Sequence, residues 1–207
     1  MSIALAFRAL KGGAATAAVA LDAGQPRLLL STFLATHGEG DRLSLEPYAV
    51  AFEMPRGPAG EASAEAEAAV AEGRKRQEAI AARALEAVVA QLQATGHRPS
   101  VAGLLVNRTG WITDALSYSL AWPEHVPIAE GLAVRDALRA GCGMLQLPIE
   151  DVDEKSLADT AAIDLELPAD AIDARLKEMG TIAGKPWRKE QKLAALAAWS
   201  LAALAND

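Results

Sequence analysis

Few residues in this 207-residue chain combine a reactive type with a useful spacing. Glu130 and Arg135 lie five apart in a stretch whose composition predicts a helix over residues 129–140. Five positions is too far round a helix for direct pairing. Two readings stand open. In one, Glu130 sits at the helix N-terminus, where its charge suits the helix dipole, and Arg135 is a surface arginine. In the other, this helix faces the last helix of the chain. Glu130, Arg135, Lys192 and Arg8 then form a polar pocket, with Asn107 at the end of the fourth strand opening onto it. Trp187 follows Pro186 at a helix start. An aromatic residue there staples a helix to the core; the functional alternative is a stacking platform for a base or ring. Trp111 and Trp122 are either packing anchors or the walls of a groove.

The remaining reactive types exclude more than they suggest. His37, His97 and His125 have no partner at metal-ligand spacing, and no His-Glu-x-x-His occurs, so no metal site is expected. Only His125, five residues before Glu130, could join the site above. Cys142 is the single cysteine, which excludes a disulfide framework. Flanked by Gly141 and Gly143 before an apolar run, it reads as a buried, inert thiol. Gly184-Lys185 lacks the rest of a phosphate-loop pattern, and no Gly-x-Gly-x-x-Gly occurs, so no cofactor is expected.

Hydrophobic residues make up 51% of the chain, which excludes a disordered protein. The longest apolar run, residues 193–205, is too short to cross a bilayer and is interrupted by Ser200. Arg8 and Lys11 fall where a secretory signal needs an apolar stretch, so a cytoplasmic protein is expected. The net charge is −7, and residues 150–178, with ten acids against three bases, account for all of it. That block reads as a solvated helical face or as a docking surface for a basic protein partner. The compact basic cluster Lys185, Arg188, Lys189 and Lys192 is answered by Glu190. Nucleic-acid binders neutralise phosphates with basic patches, so this balance disfavours nucleic acid as a partner.

The elements that must position these residues follow from periodicity. Ile3, Leu5 and Phe7 alternate with smaller residues, the mark of a strand with one buried face. Gly12-Gly13 and Asp22-Ala23-Gly24 read as turns, and residues 27–35 as a third strand, so the chain opens as an antiparallel meander. Residues 43–54 fit either strand or helix. Residues 61–93 predict a long helix with Gly73 as a possible kink and Gly96 as its C-terminal stop. Residues 101–106 and 144–149 read as buried parallel strands, and residues 126–128 as a very short strand. Residues 111–123 predict a short helix. Two helices fall in the acidic block, and a last one spans 187–205.

Three meandering strands followed by alternating helices and strands resemble the ribonuclease H-like fold. The α/β fold expected is therefore one domain over residues 1–207, a mixed five-stranded sheet with helices on both faces. The closing segment WRKEQKLAALAAWSLAAL resembles the last helix of the Holliday-junction resolvases. The segments PIAEGLAVRDAL (127–138) and GKPWRKEQKLAALAAW (184–199) are similar to a family of uncharacterised bacterial proteins. That family carries a Pro-Tyr-His-Ala segment after the meander; here Pro47 and Tyr48 are kept and Ala49 stands at the histidine.

The resemblance implies that nuclease members hold two divalent ions with carboxylates on the first strand, near the end of the fourth, and on the last helix. In this sequence the first strand carries only Arg8, the fourth ends at Asn107, and the last helix offers Glu190 followed by Gln191 and Lys192. The expectation is a ribonuclease H-like module lacking the metal-binding carboxylates, which binds a partner or assembles as a homodimer. The alternative is a divergent enzyme acting on nucleic acid or nucleotide through a remodelled site.

Overall fold

The computed structural model describes residues 2–107 and 110–205. Strand β1 (Ser2–Leu10) pairs antiparallel with β2 (Gly13–Asp22), and β2 with β3 (Gln25–Ala35). Ala23 and Gly24 both take positive φ, the two-residue hairpin geometry that matches strand twist. The chain then forms two short helices, α1 (Arg42–Leu45) and α2 (Pro47–Phe52), and the long helix α3 (Ala64–Ala94). Strands β4 (Val101–Val106) and β5 (Ile149–Asp153) add in parallel, giving the sheet order β3-β2-β1-β4-β5. Between them lie α4 (Ala115–Ala121), a single 3₁₀ turn and α5 (Val126–Met144); after β5 come α6 (Leu157–Asp164), α7 (Ala169–Ala183) and α8 (Lys189–Leu204).

Strand alternation divides the helices between the two sheet faces. Leu5, Phe7, Ala18 and Leu104 pack against Leu85 and Leu92 of α3 and Val134 and Leu138 of α5. Ala6, Ala17, Val19 and Leu105 pack against α6, α7 and α8, with Trp199 wholly inside. The alanines of β1 and β2 meet those of α8, so backbone and helix approach closely and exclude water with little side-chain volume. No described helix is long and apolar enough to cross a membrane.

Several elements differ from expectation for local reasons. Residues 43–54 hold no strand: the first three end α1, and Pro47 opens α2 at a position where its missing N–H costs nothing. Residues 126–128 likewise form the first turn of α5, with Pro127 near its start, rather than a strand. Strand β5 begins at Ile149, later than expected, because α5 runs to Met144 and a turn with Gln146 at positive φ follows. It is an edge strand, and its acids Glu150, Asp151 and Asp153 discourage pairing with another sheet. Helix α3 runs unbroken through Gly73. A β-carbon there would lie 2.5 Å from the Leu43 carbonyl oxygen and 2.6 Å from Pro47 Cβ. The glycine therefore lets α1 and α2 lie against α3 rather than kinking the helix. Gly96 stops α3 as expected: at φ 80°, it donates its N–H to Gln93 while His97 donates to Leu92.

Candidate functional site

Because β1, β4 and β5 are parallel, their C-terminal ends lie along one edge of the sheet. In α/β sheets this edge is where ligands bind. Arg8 lies near the end of β1, and Asn107 and Glu154 follow β4 and β5 directly.

Arg8 shares the face of Ala6, the side covered by α8. Its guanidinium donates from Nη2 and Nε to the two Glu154 carboxylate oxygens, at 2.9 and 3.1 Å. Glu190, in the first turn of α8, lies 3.8 Å from Nη1. These side chains are only a fifth to a third exposed, so the paired geometry is held by the packing of three elements.

On the other face stands Glu130 of α5. Helix α2 has no cap from its own N-terminal neighbour, because Glu46 turns its carboxylate to Lys11 and Arg42. The backbone N–H groups of Tyr48 and Ala49 donate instead to Glu130 Oε1, at 2.8 and 2.9 Å. Glu130 therefore caps a neighbouring helix rather than its own, which starts four residues earlier at Val126. The residue is only 7% exposed, and among the described residues no donor reaches Oε2. Burial pushes its carboxyl up to about 7; Glu46 adds to the rise, while the two backbone donors and Lys11 oppose it.

Glu130, Arg135 and Asn107 line one cleft of about 570 Å³, with Lys11 and Glu46 at its rim and Val126, Pro127 and Ile128 along one wall. Arg135 is half-buried. Burial lowers its affinity for its proton; Arg139 adds to this, and Glu154, Asp151 and Asp136 oppose it. Two residues of the expected pocket are not brought into it. Arg8 engages Glu154 on the α8 side. Lys192 is exposed on α8, across the sheet from α5, beside Lys185, Arg188 and Lys189. The expected meeting of α5 with the last helix does not occur, because the sheet lies between them.

Trp187 is half-buried; its Nε1–H donates to the Leu176 carbonyl at 3.1 Å and its ring lies against Gly180, joining α7 to the start of α8. That contact packs α7 against the segment that leads into α8. Trp111 and Trp122 are instead exposed, at 68% and 64%. Trp111 meets Tyr118 edge-on, and Tyr118 stacks on His125 with centroids 3.9 Å apart. His125 is thereby tied to α4, His37 lies 2.8 Å from the Gly12 carbonyl, and His97 contacts Arg27. Burial pushes the Cys142 thiol up to about 12. Among the described residues no group of three or more histidine, cysteine or acidic side chains could hold a metal ion. Four acids of the block 150–178 are engaged: Asp151 pairs with Arg139, Glu154 with Arg8, Glu178 with Arg175, and Asp164 accepts from Ser200.

Sequence reasoning missed Glu154 as the partner of Arg8 and the role of Lys11, Glu46 and the α2 backbone around Glu130. The signal for the last was Pro47-Tyr48, a proline-opened helix start without an aspartate, serine or threonine to cap it.

No family model matches the chain, and no curated protein matches it by sequence. Two solved structures of Thermus thermophilus RuvC are similar to it in fold. One is RuvC in complex with a Holliday junction substrate, with TM-score 0.55, 11% identity, and 99% of this chain and 95% of that one covered. The other, described as the Thermus thermophilus RuvC structure, gives TM-score 0.53 at 12% identity over the same shares. At this identity the likeness is one of fold: the chain is an α/β protein with the mixed five-stranded sheet of the RuvC and ribonuclease H-like fold.

Proposed function

We propose that this chain is a cytoplasmic ribonuclease H-like binding module that does not cut nucleic acid, its site lying at the C-terminal edge of the sheet. The observation that carries this reading is Arg8. The resemblance calls for a carboxylate on the first strand; the chain has a guanidinium, paired bidentately with Glu154 and close to Glu190. A permanent cation there already satisfies the two nearest acids and repels a divalent ion. Incubation of the protein with a four-way DNA junction and magnesium or manganese tests this. The expected result is intact DNA. Metal-dependent cleavage that Glu190→Ala abolishes would overturn the reading.

One observation favours a second reading, an enzyme acting on nucleotide or nucleic acid. Glu130 is buried in the wall of a cleft with its carboxyl near neutrality, the range of a general base. Turnover of a nucleotide or nucleic acid by the wild type, lost in Glu130→Gln, would select it. As an assembly module the chain would form a homodimer or dock a basic protein partner on the 150–178 block; sedimentation equilibrium at micromolar protein, expected to give twice the 21.6 kDa chain mass, tests the first.

A further inference from the structure

Strand β3 forms the edge of the sheet at the end opposite β5. Natural sheets blunt an open edge with charges, proline, a bulge or a covering segment. The first half of β3 carries such devices: Pro26 and Arg27 lie near its start, and its register with β2 shifts where Ala18 and Val19 meet Leu30 and Leu28. Residues 30–35, of sequence LSTFLA, carry no charge and no proline and keep a regular register with β2. Among the described residues no strand and no isolated bridge pairs with their outer side. Thr36 donates its N–H to the Gly12 carbonyl, so the alternation of an antiparallel ladder turns the N–H and C=O groups of Ala35, Phe33 and Ser31 away from β2. Exposure follows the edge. Strand β2 is buried from Gly13 to Ala20, whereas Ser31, Thr32 and Ala35 are half-buried and Phe33 is 47% exposed.

Resting on the reading of the chain as a binding module, we propose that this edge takes a second copy of the chain. Residues 30–35 of the two copies pair antiparallel about a two-fold axis, which joins their sheets into one. An antiparallel pair of identical strands satisfies that symmetry, so one edge supplies both sides of the interface. The three outward residues of each strand allow about six hydrogen bonds. Charge selects this occupant. A basic partner finds no acid on residues 30–35, and an identical strand meets no like charge there. The acids of β5 fall on the two far edges, nine strand spacings or roughly 43 Å apart and several screening lengths. Helix α7, whose Ile172 and Leu176 pack with Leu28, carries Asp170, Asp173 and Glu178 against Arg175 and Lys177, a near balance.

Sedimentation velocity of the full chain over a hundredfold range of protein concentration tests the pairing. The expected result is a reversible rise from 21.6 kDa to twice that mass. Ser31→Pro removes one outward N–H from each edge and spares the bonds to β2, so it should weaken association about tenfold or more. Amide hydrogen exchange of the wild type needs no variant: the N–H groups of Ser31, Phe33 and Ala35 should exchange about tenfold more slowly as the dimer forms, with those of β5 unchanged. A monomer at every concentration would overturn the proposal and give the edge to an extended segment of another protein. A dimer that a folded Ser31→Pro variant forms equally well, or one whose slowed amides lie elsewhere, would overturn it too. Junction cleavage is the separate result that overturns the parent reading, so the two failures are distinguishable.

Discussion

Replacing Glu130 by glutamine should make the protein more stable at pH 8 and leave it unchanged near pH 4. The carboxyl is held at about 7 in the folded chain against an ordinary 4.5. Below 4.5 both folded and unfolded chains carry the proton, and the environment costs nothing. Between 4.5 and 7 the folded chain holds a proton that the unfolded chain has lost, so stability falls as pH rises. Above 7 both are ionised, and the folded state bears the full cost of the buried charge, about 3 kcal/mol at 1.36 kcal/mol per tenfold change in proton affinity. Glutamine keeps an acceptor for Tyr48 and Ala49 and cannot ionise. The variant should therefore gain about 2–3 kcal/mol at pH 8. The carboxyls of Asp41, Glu46 and Asp114 are held below their ordinary values, so their contribution is lost only as pH falls below about 4. That leaves the window from pH 5 to 7 to Glu130, with the wild type most stable near pH 5. Urea unfolding of both proteins at unit pH steps from 4 to 8 reads the effect. An equal fall from pH 5 to 7 in the variant, or a variant less stable than wild type at pH 8, would refute the reasoning.

Three further outcomes are expected. Gly73→Ala should destabilise by about 2 kcal/mol or more in urea unfolding, although alanine is favoured in helices by about 1 kcal/mol, because its β-carbon meets the Leu43 carbonyl; an increase in stability would show that α1 and α2 do not lie on α3. Arg8→Ala removes the cation between Glu154 and Glu190 and should cost about 1–2 kcal/mol in the same measurement, more than a fully exposed pair. Cys142 should resist a thiol reagent at pH 8 in the native protein and react at once in denaturant, its thiol being buried and held at about 12; rapid native labelling would contradict that burial.

How much was legible in the sequence depends on the range of the interaction. The meander, the long helix and the parallel fourth strand follow from local alternation and composition, and all three stand in the structure. Where proline placement decided between helix and strand, at residues 43–54 and 126–128, alternation alone could not tell that the ring opens a helix. The Glu130 cap spans more than eighty residues, and no local rule pairs a mid-helix carboxylate with a distant helix start.

The failure over Lys192 has a sharper cause. Strand parity states that Arg8 and Ala6 point to one face and Leu5 and Phe7 to the other. It does not state which helix covers which face. Placing α5 and α8 on the same side puts Glu130, Arg135 and Lys192 in one pocket; placing them on opposite sides splits the site in two. The structure splits it: an ion pair of Arg8 with Glu154 and Glu190 lies under α8, and a cleft around Glu130 and Arg135 lies beside α5. The halves are not electrically independent, because Glu154 helps hold the proton on Arg135. Loss of Arg8 leaves Glu154 without its bidentate partner and strengthens its pull on Arg135.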